Sequence, residues 1–255
     1  QSDLFGYFEC MEVFELPVNG DAANKRWVVY SGDARYAVGD FDGKKFTPEH
    51  EGKHRLHYGT YYASQTFDNA PGGRKIQVGW NTSQAAPEAP YAGHHSFPHE
   101  LTLHTEVNGI RMRANPIEEI KELRAKSHRV NPVELSPGSP AVLPILSNTF
   151  ELRLEFDPKD SDQVFINIPG THIRYRTKEQ IIEHREIPLE VIDGKVRMHI
   201  LVDACLYEIA GNDGRVYVSL PRDYKLPITE IKIEAIGGNA ILTQLELHEL
   251  KSIWE

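Results

Sequence analysis

Cysteine is scarce in this 255-residue chain: Cys10 and Cys205 stand far apart with no CxxC spacing. Neither a disulfide framework nor a cysteine zinc site can be read from them. No apolar run approaches the ~20 residues needed to cross a bilayer, and no basic-then-apolar leader opens the chain, so no membrane partner is expected. Positive charge is in deficit, with 28 Lys and Arg against 37 Asp and Glu and a net charge of −9. Such a surface has no general attraction for a polyanion, which argues against a nucleic-acid partner. The first residue is Gln1 and not methionine, which is read as processing or truncation. Sustained helical periodicity is nearly absent too.

What the chain does contain is short runs of β-branched, aromatic and alternating residues, punctuated by Gly, Asp, Asn and Pro. EVFELPV from Glu12, RWVVYSG from Arg26, YAVGDF from Tyr36, RKIQVGW from Arg74 and ELTLHTEV from Glu100 are examples. Between them lie turn signals such as Asn19-Gly20, Asp42-Gly43 and Asn108-Gly109, so the fold class is all-β. A weak repeat aligns FECMEVFEL before RWVVY with YYASQTF before RKIQVGW, placing Arg26 and Arg74 48 residues apart. That period suits the four-stranded blade of a β-propeller.

One helical signal interrupts the strands. Asn115, Pro116 and Glu118 supply an N-cap, a first-position proline and a capping-box acid ahead of Ile117, Ile120 and Leu123, which predicts a single linker helix. The Pro- and Ser-rich stretch SHRVNPVELSPGSPAVLP follows and marks a boundary near residue 130. Two domains are expected, over 1–124 and 131–255. From Asn148 onward, alternating strands such as TFELRLEF, QVFINI and ITEIKIEAI predict a β-sandwich. Asn212-Asp213-Gly214 is a strong hairpin signal.

Taken in order, FEC from Phe8, FELPVNG, RWVVYSG, YAVGDFDGKKF, HYGTYYASQTF, RKIQVGW, SFPHELTL and NPIEEIKELR resemble the landmarks of glycoside hydrolase family 32, the invertases, levanases and inulinases. In the second half NTFELRLEF, VRMHILVDACLYEIAGNDGR and LELHELKSIW resemble that family's C-terminal sandwich. The resemblance implies a five-bladed propeller, of which this chain holds the last two to three blades, followed by the sandwich. It also implies a retaining β-fructosidase acting on a fructan or sucrose-like carbohydrate, extracellular or periplasmic, with neither metal nor cofactor.

The family's acid/base glutamate matches Glu9, in Glu9-Cys10. Its nucleophile sits in an NDP motif and its transition-state-stabilising aspartate in an RDP motif, and neither motif occurs here. The expectation is therefore a chain lacking the nucleophile segment. Two to three blades cannot close a ring of four to eight, and five are implied here, so the missing blades come from another fragment or are lost, or the half-ring pairs with a second copy. Met11-Glu12 replaces the usual Pro-Asp, and Thr60-Tyr61-Tyr62-Ala63 lacks the aspartate often found before that segment.

A general acid that later serves as base needs a raised pKa, which burial beside Tyr7, Phe8 and a neighbouring carboxylate would supply to Glu9. Trp80 offers a face for a sugar ring or is a buried strand tryptophan. Tyr62 and Gln65, with Tyr61, face the funnel or serve as packing. His94, His95, His99 and His104 lie within eleven positions but mix strand faces and have no partner cysteine, so metal binding is not expected. Asp40, Asp42 and Gly43 read as a turn and not a calcium loop. The alternative to an enzyme is a non-catalytic remnant that binds fructan or a partner chain.

Overall fold

The computed structural model describes residues 9–83, 92–145 and 147–253. It divides into two compact units, residues 1–117 with 214–219 and residues 118–213 with 220–255.

In the first unit, β1 (Glu12–Val18), β2 (Asp21–Tyr30), β3 (Arg35–Phe41) and β4 (Phe46–Pro48) form an antiparallel meander. Phe14, Leu16 and Val18 alternate inward along β1, as a strand with one buried face requires. Asn19 and Gly20 both have positive φ, at 53° and 78°, the conformation that suits a tight hairpin between right-twisted strands. Asp42 closes the β3–β4 turn by accepting the backbone N–H groups of Lys44 and Lys45 at 2.8 and 2.7 Å, so this aspartate serves the turn.

β5 (His54–Arg55) and β6 (His57–Gly59) lead into a second antiparallel array. It contains β7 (Tyr61–Thr66), β8 (Lys75–Asn81), β10 (His99–Glu106) and β11 (Gly109–Pro116), with β9 (His94–His95) on β8. The hairpins β1–β2 and β7–β8 open the two arrays, which is the repeat the sequence carries. Two successive four-stranded antiparallel sheets are propeller blades in form. They join through a parallel contact at Val18↔Leu103, and the Tyr36 hydroxyl accepts the Met112 N–H at 3.0 Å. The strand Val216–Pro221 pairs parallel with β6, setting Tyr217 opposite His57 and Ser219 opposite Gly59.

The second unit is a sandwich. One sheet runs Arg124–Val130, Ala240–Leu250, Phe150–Asp157, Val196–Val202 and Leu206–Gly211; the other centres on Glu230–Ile236, Gln163–Ile168 and Thr171–Arg176. Alternation places Phe150, Leu152, Leu154 and Phe156 against Val164, Ile166 and Tyr175, all nearly inaccessible. Phe156 meets Tyr175 edge-on at 5.5 Å. Glu151 on the opposite face is buried and accepts Arg124 Nε and Nη2 at 2.6 and 2.7 Å. Burial works to raise its pKa, but the contacts with His199 and Arg124 outweigh it and hold the carboxyl at about 2.

The anticipated linker helix is a six-residue 3-10 helix, Glu118–Leu123, with only Ile120 buried. β11 already occupies Asn115 and Pro116, and the next strand begins at Arg124. No room remains for two α-helical turns. At the hairpin signal, Asn212, Asp213 and Gly214 all take positive φ.

Candidate active site

Glu9 stands just before β1 and is exposed. Tyr7 and Phe8, expected to bury it, lie outside the described residues. Its side-chain partner is Tyr62, whose hydroxyl donates to Oε2 at 2.7 Å. That bond raises the Tyr62 pKa above its ordinary value, reinforced by desolvation and the negative field of Glu9, Cys10 and Asp33. Two of the four sequence candidates are thus in direct contact.

The backbone around this pair is unusual. Glu9, Cys10 and Ala63 take φ of 45°, 44° and 46°, the left-handed region that costs a non-glycine residue about 1 kcal/mol. Gly32 ties the segments together: its N–H donates to the Glu9 carbonyl and its carbonyl accepts the Ala63 N–H, both at 3.1 Å. Left-handed Ala63 falls where the β7–β8 register shifts between Tyr62 and Gln65, a bulge that re-aims side chains. Strain retained in a folded chain often marks a working site. Glu12, three residues beyond Glu9, accepts both the backbone N–H and the hydroxyl of Thr66 at 2.8 Å, fastening the start of β1 to the end of β7.

Tyr62 and Trp80 are opposite partners on β7 and β8, and Trp80 is in turn opposite His95 on β9. Trp80 is 47% exposed, so it is not a buried packing tryptophan. With exposed Gln65 it borders a groove of about 570 Å³, whose lining also includes Thr66, Phe67, His95 and Pro98. Tyr61 points the other way and is buried. Its hydroxyl donates to Gln77 Oε1 at 2.9 Å, and its ring covers Gly79, where a Cβ would come within 2.3 Å of ring carbons. Glycine in the QVGW run is therefore what lets Tyr61 lie flat beneath the site.

Behind Tyr61 lies a buried polar chain that sequence reasoning missed. Tyr30 Oη meets His57 Nδ1 at 2.9 Å, His57 Nε2 meets His99 Nε2 at 2.9 Å, and His99 Nδ1 meets the Phe97 carbonyl at 3.0 Å. The carbonyl only accepts, so His99 carries its proton on Nδ1 and presents a bare Nε2. His57 must then donate from Nε2 and accept from Tyr30. This order requires both rings neutral. Burial, with His99 nearby, holds His57 well below its ordinary pKa, and burial holds His99 at about 4. The Tyr217 ring stacks on His99 at 4.3 Å. The sequence grouped His99 with His94, His95 and His104, but the topology pairs it with distant His57. His104 instead contacts Thr102 Oγ1 at 3.0 Å.

Residues 1–116 match the family description "Glycosyl hydrolases family 32 N-terminal domain". The levanase of Bacillus subtilis is 28% identical over an alignment that covers 98% of this chain and 43% of the levanase. A cell-wall β-fructofuranosidase of Zea mays is 30% identical, over 53% of this chain and 26% of its own length. This chain thus spans less than half the length of these relatives. Among solved structures, exo-inulinase from Aspergillus awamori superposes with a TM-score of 0.80 at 18% identity, over 96% of this chain and 57% of the inulinase. A fructofuranosidase from Schwanniomyces occidentalis, complexed with fructose, gives 0.78 at 19% identity over 96% of this chain and 60% of its own. At that identity the likeness concerns the fold, a partial propeller followed by a sandwich. Shared motifs, a matching domain over residues 1–116 and a common architecture agree in their support for glycoside hydrolase family 32.

Proposed function

We propose that these 255 residues are the acid/base-bearing part of a retaining β-fructosidase that cleaves fructans or sucrose-like fructosides. The observation that carries this reading is the Tyr62–Glu9 hydrogen bond beside the groove bordered by Trp80 and Gln65. Levanase and β-fructofuranosidase relatives support the substrate class.

Glu9, protonated, gives its proton to the bridging oxygen as the bond to the fructosyl anomeric carbon breaks, and a second carboxylate forms an ester with that carbon. Glu9, now ionised, takes a proton from water. The water oxygen then attacks the same carbon, and the second carboxylate leaves. Tyr62 orients Glu9 through both steps. Trp80 offers an exposed aromatic face to a sugar ring, and Gln65 offers an amide to its hydroxyls. No NDP or RDP motif occurs in the sequence, so the second carboxylate is assigned to chain outside these residues, on blades that complete the ring. The domain reading, blades over 1–124 and an independent sandwich over 131–255, belongs to the same proposal. An extracellular location accords with relatives such as the extracellular exo-inulinase of Meyerozyma guilliermondii.

The test compares residues 1–255 alone with the longest natural form of the protein on sucrose, levan and inulin. The longer form should release fructose with retained configuration, and residues 1–255 alone should not. Inactivity of both would favour a binding role, and turnover by residues 1–255 alone would place the nucleophile within this sequence.

A further inference from the structure

Residues Gly214–Ser219 come from the second half of the sequence, yet they are part of the unit that holds Glu9. Their last member sits beneath the groove. Ser219 is fully buried, and its Oγ accepts Asn81 Nδ2 at 2.8 Å. Asn81, also fully buried, accepts the Thr60 hydroxyl at 2.8 Å and the Ser83 N–H at 3.0 Å on its Oδ1. The Ser219 carbonyl accepts the Thr60 N–H at 2.9 Å, and the Thr60 carbonyl accepts the Thr82 N–H at 2.9 Å.

These bonds fix the residues next to the proposed sugar contacts. Asn81 follows Trp80, and Thr60 precedes Tyr61-Tyr62. Tyr61 pairs with Asn81, and Tyr62 with Trp80. Because side chains alternate across a strand, the inward pair is bonded or packed below while Trp80 and Tyr62 stand above. The Asn81 amide cannot turn over without losing its Ser83 bond, because a backbone N–H only donates.

The geometry points to Ser219 as a positioning residue for the fructoside site, acting on Trp80 through Asn81, which Thr60 also holds. This rests on the function proposed above. Removing its hydroxyl leaves Asn81 Nδ2 buried without its acceptor, a state costly enough to move the end of β8. A displacement near 1 Å at a substrate-contacting group costs up to about 100-fold in rate. The strand itself stays seated, because Tyr217 remains stacked on His99 and Val218 remains buried.

The experiment is a double-mutant cycle in the longest natural form of the protein, with kcat and KM measured on sucrose and inulin. Ser219→Ala should lower kcat/KM about tenfold, and Trp80→Ala should lower it on its own. If Ser219 acts through Trp80, adding Ser219→Ala to Trp80→Ala should cost less than twofold more. Should Ser219→Ala fail to fold, Thr60→Val replaces it in the same cycle, with Thr60→Ser restoring the hydroxyl and the rate. Losses that multiply, or Ser219→Ala with unchanged kcat/KM, would overturn the assignment. A wild-type protein that cleaves no fructoside would instead refute the functional reading itself.

Discussion

Lowering the pH from 7 to 5 should loosen the first unit through the His57–His99 pair, by an amount the structure sets. The contact between the two Nε2 atoms works only with one donor and one bare acceptor. A proton added to His99 turns it into two donors facing each other at 2.9 Å, and one added to His57 at Nδ1 removes the acceptor of the Tyr30 hydroxyl. Tyr30, Tyr61, Gln77 and Tyr217 surround the pair, and none carries charge at these pH values to compensate. In the unfolded chain an ordinary histidine takes its proton near pH 6.5, whereas folded His99 refuses it until about 4. The depressed folded value means the unfolded state binds the extra proton as pH falls. Stability is therefore complete above about 6.5 and is lost toward 4. At about 1.4 kcal/mol per pH unit, His99 alone removes about 2 kcal/mol at pH 5 and about 3 kcal/mol at pH 4. His57 adds in the same direction. So does His54, held at about 4 by burial, with His50 and Arg111 nearby, and a variant comparison isolates the pair. Urea titrations at pH 7 and 5, followed through amide NMR signals of β8 and β10, should show the midpoint falling in the wild type and falling much less in His99→Gln. Equal midpoints at both pH values in the wild type, or a His99 ring that titrates near 6.5 in the folded protein, would refute the assignment of both rings as neutral.

Two further outcomes follow from the geometry. Tyr62→Phe, which removes the donor to Glu9, should lower kcat/KM on sucrose about tenfold in the longest natural form through loss of orientation. Its thermal midpoint should hardly move, because the Tyr62 hydroxyl lies at a partly exposed position; an unchanged kcat/KM would remove Tyr62 from the site. A fragment beginning at Glu118 should melt at higher temperature than one beginning at Asn131. The shorter fragment lacks Arg124 and leaves buried Glu151 without its bidentate partner, a loss worth about 3–5 kcal/mol for a broken buried pair. Equal melting points in circular dichroism would contradict that role for Arg124.

The alternation in EVFELPV and TFELRLEF, with turn signals such as Asn19-Gly20, makes the strands and both kinds of sheet legible in the chain itself. Binary pattern is what decides strand existence. The 48-residue offset between Arg26 and Arg74 likewise reported the paired hairpins β1–β2 and β7–β8. The linker helix fails as an α-helix because the capping signal at Asn115 is local, whereas β11 claims that residue and Pro116. Local capping cannot report a competing ladder. Of the site, Glu9 comes from resemblance and Trp80, Tyr62 and Gln65 from their side-chain chemistry on strands that would face the implied funnel; the structure joins Tyr62 to Glu9 and places Gln65 and Trp80 on the groove. Ser219 and the His57–His99 pair were invisible. Their partners lie 138 and 42 positions away, and a contact across such distances leaves no periodic trace in the chain.

The role of Glu9 as proton donor and then base is tested most directly by Glu9→Gln in the longest natural form. The change keeps shape and most hydrogen bonding but removes the proton, so hydrolysis of sucrose, whose leaving group needs protonation, should fall by about 10²–10⁴. The first step on a fructoside with a good leaving group should be much less affected, and azide should restore its second step by replacing the water that Glu9 activates. Equal slowing of both kinds of substrate, or slowing of neither, would contradict the assignment of Glu9.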